Sequence, residues 1–421
     1  MPPSRSQVYL RRRIVVFCAA LVTLALLFYL PITLLAPIQS THATAITYSV
    51  PHTTAPVLTL PSYGASAIAA VGYPGLLASG GASTPLPIAS ITKIITALVV
   101  LQKDPLGVGD QGPSIRFTDA DAAIIKAYAA RDGDTYPIQV GGSLTERQVL
   151  TIALVPSANN YSRALADWAY GSEANFLPVA RAWLTAHGMT STTLTDSTGL
   201  NPQNTSTPTD LIALGKLALA SPIISSIMSI RSITLPVVGL VSNTNLLLGQ
   251  VGVDGIKTGT LDNAGASLLF SSRLVLGGHV VTLIGVVLDG PTHPIIDAAI
   301  AALLTVARGA FHLTTLASKG QVFARYRTAW GAETSAVAAR AVTMVLLDGT
   351  HVSAHTDAQA VAPGKKGTVL GLASFAAGNQ RATVPLVQSS TLKGPDPLWR
   401  LLNPGYYTDR SVSRPFIPSK Q

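Results

Sequence analysis

Apolar and polar positions alternate in three different regimes along this chain. From Ile14 to Leu35 it reads IVVFCAALVTLALLFYLPITLL, 22 residues without a charge. At about 1.5 Å rise per residue this is roughly 33 Å of helix, enough for a bilayer core of about 30 Å. Residues 36–62, rich in Thr, Pro and Ser from position 41, read as a linker. The second regime covers 63–310. SAIAAVGYPGLLASGG predicts a hairpin about Tyr73-Pro74-Gly75, and ASITKIITALVVLQ is a helix apolar almost all round, as a core helix is. Helical spacing returns at Leu144–Tyr170, Asn175–His187 and Thr209–Ala220. GASLLFSSRLVLGGHVVTLIGVVLDG then predicts two strands joined at Gly277-Gly278, followed by a helical IIDAAIAALLTVARGAF. Strands at both ends with helices between imply an α/β or α+β domain. In the third regime, 311–393, short β-rich runs between Gly, Asp and Pro turns predict a small all-β domain, a sandwich or barrel. The tail 394–421 is expected to be extended, with one amphipathic turn near Leu398–Leu402.

Composition changes this picture little. The chain of 421 residues is 48% hydrophobic and 12% charged, too apolar for a disordered protein. Its apolar residues form one long run only, so one membrane-spanning helix and a folded remainder are expected. Arg5 and Arg11–Arg13 precede that run with no acidic residue among them, which puts residues 1–13 in the cytoplasm and the rest outside. The length favours an uncleaved anchor; a cleaved signal peptide ending at Ala43-Thr44-Ala45 is the other reading, and both export the protein. Four of the nine net positive charges belong to those arginines, leaving +5 for the exported part. No Lys/Arg block or basic-aromatic pattern suggests a nucleic-acid partner. The single cysteine, Cys18, lies in the apolar run, so the exported part has no disulfide or thiol chemistry.

Three short motifs carry candidate chemistry. In Ser90-Ile91-Thr92-Lys93 the hydroxyl and amine are three apart and share a helix face. Serine needs a base to become a nucleophile, and lysine can serve once burial, helped by nearby cations, lowers its pKa. The apolar surroundings of Lys93 would supply that burial. Ser157-Ala158-Asn159 is a polar knot between two helical stretches, able to relay a proton and hold an amide. In Lys257-Thr258-Gly259-Thr260, Lys and Thr can take a carboxylate, and Gly259 lets a substrate backbone come close. Singly, each has an ordinary explanation: a capping Ser with a surface Lys, a polar loop, an edge-strand Lys.

The ordered set is more specific. Ser-x-x-Lys, Ser-x-Asn and Lys-Thr-Gly at 90, 157 and 257 resemble the signature of penicillin-recognising serine acyltransferases. Together with LTERQVLTIALVPSANNYSRALA, AHGMTSTTLTDSTGL and VDGIKTGTLDNAGASLL, they make 63–310 resemble D-alanyl-D-alanine carboxypeptidases of the low-molecular-mass penicillin-binding type. The resemblance implies a β-lactamase/transpeptidase-like catalytic domain with a C-terminal all-β domain. It makes Ser90 the residue acylated by a peptidoglycan stem peptide ending in D-Ala-D-Ala, Lys93 its base, and Ser157 and Asn159 aids to proton transfer and peptide binding. Lys257 and Thr258 would hold the terminal carboxylate, with Gly259 and Thr260 along the substrate and the N–H groups of Ser90 and Thr260 forming the oxyanion hole. β-Lactams would trap the acyl-enzyme, and no metal or cofactor is called for. The likeness departs just past the third motif. Thr260-Leu261 stand where relatives often have an aromatic residue or His and then Thr, and PTHPIIDAA lacks an Arg that some relatives carry.

Three rivals share the motifs: a D,D-endopeptidase, a β-lactamase, and a catalytically silent cell-wall binding protein. Against a β-lactamase stands the lack of a loop glutamate between the second and third motifs, Glu173 lying in a helical stretch. The eight histidines are scattered, none beside a motif serine, and a metal site at His351-x₃-His355 is less expected than exposed polar side chains. The four tryptophans are read as packing residues.

Overall fold

The computed structural model describes residues 5–49, 53–262 and 264–408. Its N-terminal helix, Arg5–Leu35, is exposed along its length, and Thr33 is its one buried residue. Apolar side chains facing outward all round suit a hydrocarbon environment.

The larger folded part is built on five antiparallel strands in the order Val253–Leu261, Gly265–Leu276, His279–Gly290, Ala65–Ala70 and Ala78–Gly81. The two expected long strands pair as predicted, and Gly277 (φ 55°) and Gly278 (φ 83°) make the turn between them. Successive side chains divide between two cores. Ala67, Ala69, Leu269, Ile284 and Val286 face one side; Ile68, Ala70, Leu268, Phe270 and Leu283 face the other. A sheet covered on both faces needs apolar residues at every position, which is why these strands read as unbroken runs rather than alternating ones. The helix Pro208–Ala220 packs on the first face and His293–Gly309 on the second. Each fully buried Leu or Ile contributes about 2 kcal/mol of burial free energy, so both layers are needed to hold the sheet.

Beyond the sheet lie the helices Thr92–Lys103, Glu146–Leu154, Asn159–Tyr170 and Glu173–Ala186. Their starts are encoded locally. Thr145 caps Glu146–Leu154 in a capping box with Gln148, and Ser172 caps the next helix but one. The helix Thr92–Lys103 is buried at Thr92–Ala97, Val99 and Val100, in keeping with its all-round apolar pattern.

The C-terminal strands form a β domain with its own core, centred on Phe323, Tyr326, Phe375, Val384 and Leu386. Its main sheet runs Thr44–Ala45, Val322–Arg327, Glu333–Ala338, Gln380–Gln388, Val369–Ala377, Ser353–Ala358, and Phe311–Ala317 pairs separately with Val342–Leu347. Its outermost strand comes from the stretch read as a linker. Thr44 and Ala45 pair with Arg325 and Ala324, Thr41 bridges to Val361, and the Tyr48 ring meets those of Phe323 and Phe375 at 5.7 and 5.5 Å. A Thr/Pro/Ser composition signals missing core-forming residues. It does not reveal that an existing sheet edge can take the segment as a strand. The amphipathic turn in the tail is the helix Pro397–Leu402, capped by Asp396; positions 409–421 lie outside the described residues.

Candidate active site

A cleft of about 620 Å³ opens where the helical layer meets the edge of the five-stranded sheet. Ser90, Ser157, Thr258, Gly259 and Thr260 line it. Ser90 lies in the tight turn Ala89–Ile91 that leads into Thr92–Lys103. Asn159 opens the helix Asn159–Tyr170, just after Ser157, whose φ is 69°. Such a backbone is costly for a non-glycine residue, and it is kept at the mouth of the cleft. The Lys-Thr-Gly motif lies on Val253–Leu261, the edge strand, so its free side faces the turn that carries Ser90. A Cβ at Gly259 would sit 2.8 Å from the Ile88 carbonyl oxygen, so a side chain there would push strand and turn apart.

Lys93 is 1% exposed, and its Nζ has three partners: Ser90 Oγ at 2.6 Å, Asn159 Oδ1 at 3.0 Å and the Thr198 carbonyl at 2.9 Å. Burial pushes its pKa down to about 7, against the opposing pull of Asp134 and Asp196. The expected help from neighbouring cations is therefore not what lowers Lys93. Removal from water dominates, and the charges acting on it are carboxylates. Lys257, 2% exposed, stands behind the cleft wall, its Nζ 3.3 Å from both Thr258 Oγ1 and the Thr258 carbonyl. Burial, and then the charge of Lys93, hold its pKa well below the usual lysine range. Thr258 Oγ1 is also 2.5 Å from Thr244 Oγ1.

Several residues in this arrangement carry no motif. The segment Asp196–Asn204 delivers the Thr198 carbonyl to Lys93 and is held by its own side chains. Asp196 Oδ1 accepts from the N–H groups of Thr198 and Gly199, and Asn204 Oδ1 accepts from those of Thr195 and Asp196. Glu173 accepts from the backbone and hydroxyl of Ser197, so it braces this loop. The sequence signal was the density of Asp, Ser, Thr, Gly and Asn in DSTGLNPQN, which marks a loop without naming its task. Asp134 reaches the cleft because its carbonyl accepts the N–H of Asn159. The histidines, set aside for want of a neighbouring motif serine, include one that meets a motif threonine: His293 Nε2 lies 2.8 Å from Thr260 Oγ1 on the cleft wall. It begins the helix His293–Gly309, beyond the two long strands, so only the folded sheet brings it to Thr260. Burial and the charge of Lys257 lower its pKa.

A serine hydroxyl held by a buried amine, backed by an amide and by a second buried lysine on a sheet edge, is the equipment of a serine acyl-transfer enzyme. Comparison with known proteins agrees. Residues 70–292 match the D-alanyl-D-alanine carboxypeptidase family, and the chain belongs to it. D-alanyl-D-alanine carboxypeptidase DacC of Escherichia coli is 29% identical over 71% of this chain and 76% of its own length. A D-alanyl-D-alanine endopeptidase of Haemophilus influenzae is 30% identical over 47% of this chain and 66% of its own. Among solved structures, the Streptomyces K15 DD-transpeptidase superposes with a TM-score of 0.53 at 26% identity, covering 59% of this chain and 98% of its own. Penicillin-binding protein 5 from Haemophilus influenzae shares the fold over 83% of this chain and its own full length, with a TM-score of 0.55 at 20% identity.

Proposed function

We propose that Ser90 is the acylated nucleophile of a D-alanyl-D-alanine carboxypeptidase acting on peptidoglycan stem peptides. The observation that carries this is the contact of 2.6 Å between Ser90 Oγ and the Nζ of a fully buried Lys93. Lys93, as the free amine, takes the hydroxyl proton while Oγ attacks the penultimate D-Ala carbonyl carbon. The oxyanion is stabilised by the N–H groups of Ser90 and Thr260. Collapse breaks the peptide bond, and the departing D-Ala amine receives the proton from Lys93 by way of the Ser157 hydroxyl. Water then cleaves the ester, its proton returning through Lys93. Asn159 keeps Lys93 in place and holds the stem peptide; Lys257 and Thr258 take the terminal carboxylate, with Gly259 and Thr260 flanking it. A bound carboxylate favours the charged form of both Lys257 and His293, so the anion supplies the partner that burial denies them. A β-lactam enters by the same attack and leaves the ester in place.

The N-terminal helix anchors this site to the membrane, with Arg5 and Arg11–Arg13 on the cytoplasmic side and the enzyme outside. Labelling with a fluorescent penicillin tests the nucleophile. The wild type takes label and Ser90→Ala takes none; label retained by Ser90→Ala would overturn the assignment. A second reading, D,D-endopeptidase, is favoured by the Thr260–His293 pair, which places a titratable imidazole on the carboxylate side of the cleft rather than a permanent cation. The products decide between the readings: D-Ala released from a pentapeptide supports the carboxypeptidase, and preferential cutting of a cross-linked dimer the endopeptidase.

A further inference from the structure

Charge is divided unevenly between the two folded parts. Residues 63–310 carry thirteen Lys and Arg against fifteen Asp and Glu, whereas residues 311–393 carry eight against three. The net positive charge of the two parts together therefore belongs to the β domain. The cleft does not account for it, since none of those eight cations lines it.

Strand pairing gathers part of this charge on one face, because cross-strand partners share a side of the sheet. Thr44, Arg325 and Ser335 stand opposite one another on three neighbouring strands, and Arg327 follows on the same side, opposite Glu333. Two residues beyond Ser335, Val337 pairs with Val387. On the same side of that last strand come Pro385 beside Leu372, Thr383 beside Ser374, and Arg381 beside Ala376. Tyr326, Val384 and Leu386 alternate with these residues and are buried, so this is the face turned away from the core. Its six strands, at about 4.8 Å spacing, make it about 24 Å wide.

The face has polar ends and an apolar middle. A hollow of about 510 Å³ at one corner holds Arg325 among Thr44, Ser335 and Ser390. A second, of about 300 Å³, holds Arg381 among Ser374, Thr383 and His355. Through Ser353, Ala376 and Arg381 the second hollow runs into a crevice of about 600 Å³ against Tyr73 and Leu77 of the larger part. Neither Arg325 nor Arg381 has a hydrogen-bond or ion-pair partner among the described residues, whereas Arg327 has Glu333 at 3.5 Å. Between the hollows lie Val337, Val387, Pro385 and the exposed Leu372, with Asp357 opposite Leu372 at the outer strand.

We propose that this face is a second binding site for peptidoglycan, taking the polymer along the sheet while the cleft takes a peptide end. Guanidinium groups fit carboxylates by paired hydrogen bonds, and stem peptides end in carboxylates. Serine and threonine hydroxyls match the hydroxyls of a glycan, and the apolar middle suits the C–H faces of its sugar rings. No Trp, Tyr or Phe stands among the aligned residues, which counts against a protein partner and against stacked nucleobases. The identity of the polymer rests on the D-Ala-D-Ala reading of the cleft; its anionic and hydroxylated character rests on the sheet face alone.

The test is co-sedimentation of the full chain, in detergent, with peptidoglycan sacculi stripped of phosphodiester polymers. Arg325→Glu/Arg381→Glu is compared with the wild type and with Arg116→Glu/Lys126→Glu, which makes the same charge change at exposed sites of the larger part. The first variant is expected to lose roughly tenfold or more in affinity for sacculi, the worth of about one charge-assisted contact. Its penicillin labelling and its release of D-Ala from a soluble pentapeptide stay at the wild-type level, and its release from sacculi falls with the binding. Sedimentation equal to the wild type, or an equal loss in the Arg116→Glu/Lys126→Glu protein, overturns the site. Binding seen only with sacculi that keep their phosphodiester polymers assigns the face to those polymers and overturns it as well. Sedimentation needs no turnover, so the two readings fail separately. Sacculus binding through these arginines without any D-Ala release refutes the carboxypeptidase alone, and pentapeptide turnover with binding indifferent to them refutes the second site alone.

Discussion

The proposed mechanism asks Lys93 to be both buried and a base, and one physical term serves both. Desolvation that lowers its pKa to about 7 makes the free amine available near neutral pH. The rate of Ser90 acylation is accordingly expected to rise with pH through about 7, as read from penicillin labelling at short times, and to be abolished in Lys93→Met. The same term costs stability. The unfolded chain holds the lysine proton up to its ordinary pKa, whereas the folded chain releases it near 7, so stability rises with pH across that window. Chemical unfolding of Lys93→Met at several pH values should show that slope reduced. Ser90 and Lys93 were legible in sequence because three residues separate them inside an apolar run, where a solvated lysine has no place. The third partner of Lys93 was not. It is the carbonyl of Thr198, and a backbone oxygen leaves no residue-type mark. His293 escaped for a related reason, since only strand pairing brings it to Thr260.

At the scale of elements, the site is a turn gripped from two sides. The turn Ala89–Ile91 faces the edge strand at Gly259 and is crossed by the loop Asp196–Asn204 at Gly199. A Cβ at Gly199, where φ is +85°, would lie 1.8 Å from the Ala89 carbonyl oxygen, far inside contact distance. Gly199→Ala must therefore displace either the turn that carries Ser90 or the loop that supplies Thr198. Acylation is expected to fall roughly 100-fold, the cost of about an ångström of misplacement, in a protein that still unfolds cooperatively. Gly188→Ala is the control, since φ there is +76° but a Cβ would meet nothing within 4 Å. It should lose about 1 kcal/mol of stability and keep its labelling rate. The helices and long strands around this turn were readable from periodicity and caps. The crossing of loop over turn was not, because it depends on the approach of two segments distant in sequence, and glycine at a loop position has many local explanations.

At the scale of the whole molecule, a buried carboxyl far from the cleft adds its own pH dependence to stability. Glu146 is fully buried at the start of Glu146–Leu154, and neither carboxylate oxygen has a hydrogen-bond partner among the described residues. Burial, and then Asp104, raise its pKa to about 7. A raised carboxyl binds its proton more tightly in the folded state, so stability falls as pH climbs from about 4.5 to about 7, and the loss persists above. Glu146→Gln should gain on the order of 2 kcal/mol at pH 8 and nothing at pH 4, measured by urea unfolding, with labelling by penicillin unchanged. The mixed α/β part and the separate β domain were visible in sequence as a change in the rhythm of apolar residues. The docking of residues 41–48 on that domain was not, and it bears on how the enzyme is held. A free segment as long as 36–62 would behave as a coil with an end-to-end distance of roughly 30 Å, letting a tethered enzyme wander through a volume. With Thr44–Ala45 laid into the sheet edge the slack is taken up. On the proposed anchoring by the N-terminal helix, the cleft then works as the tip of a short stiff arm. On that proposal it meets stem peptides at one height above the bilayer, and distance from the membrane becomes a criterion of substrate choice alongside the chemistry of the cleft.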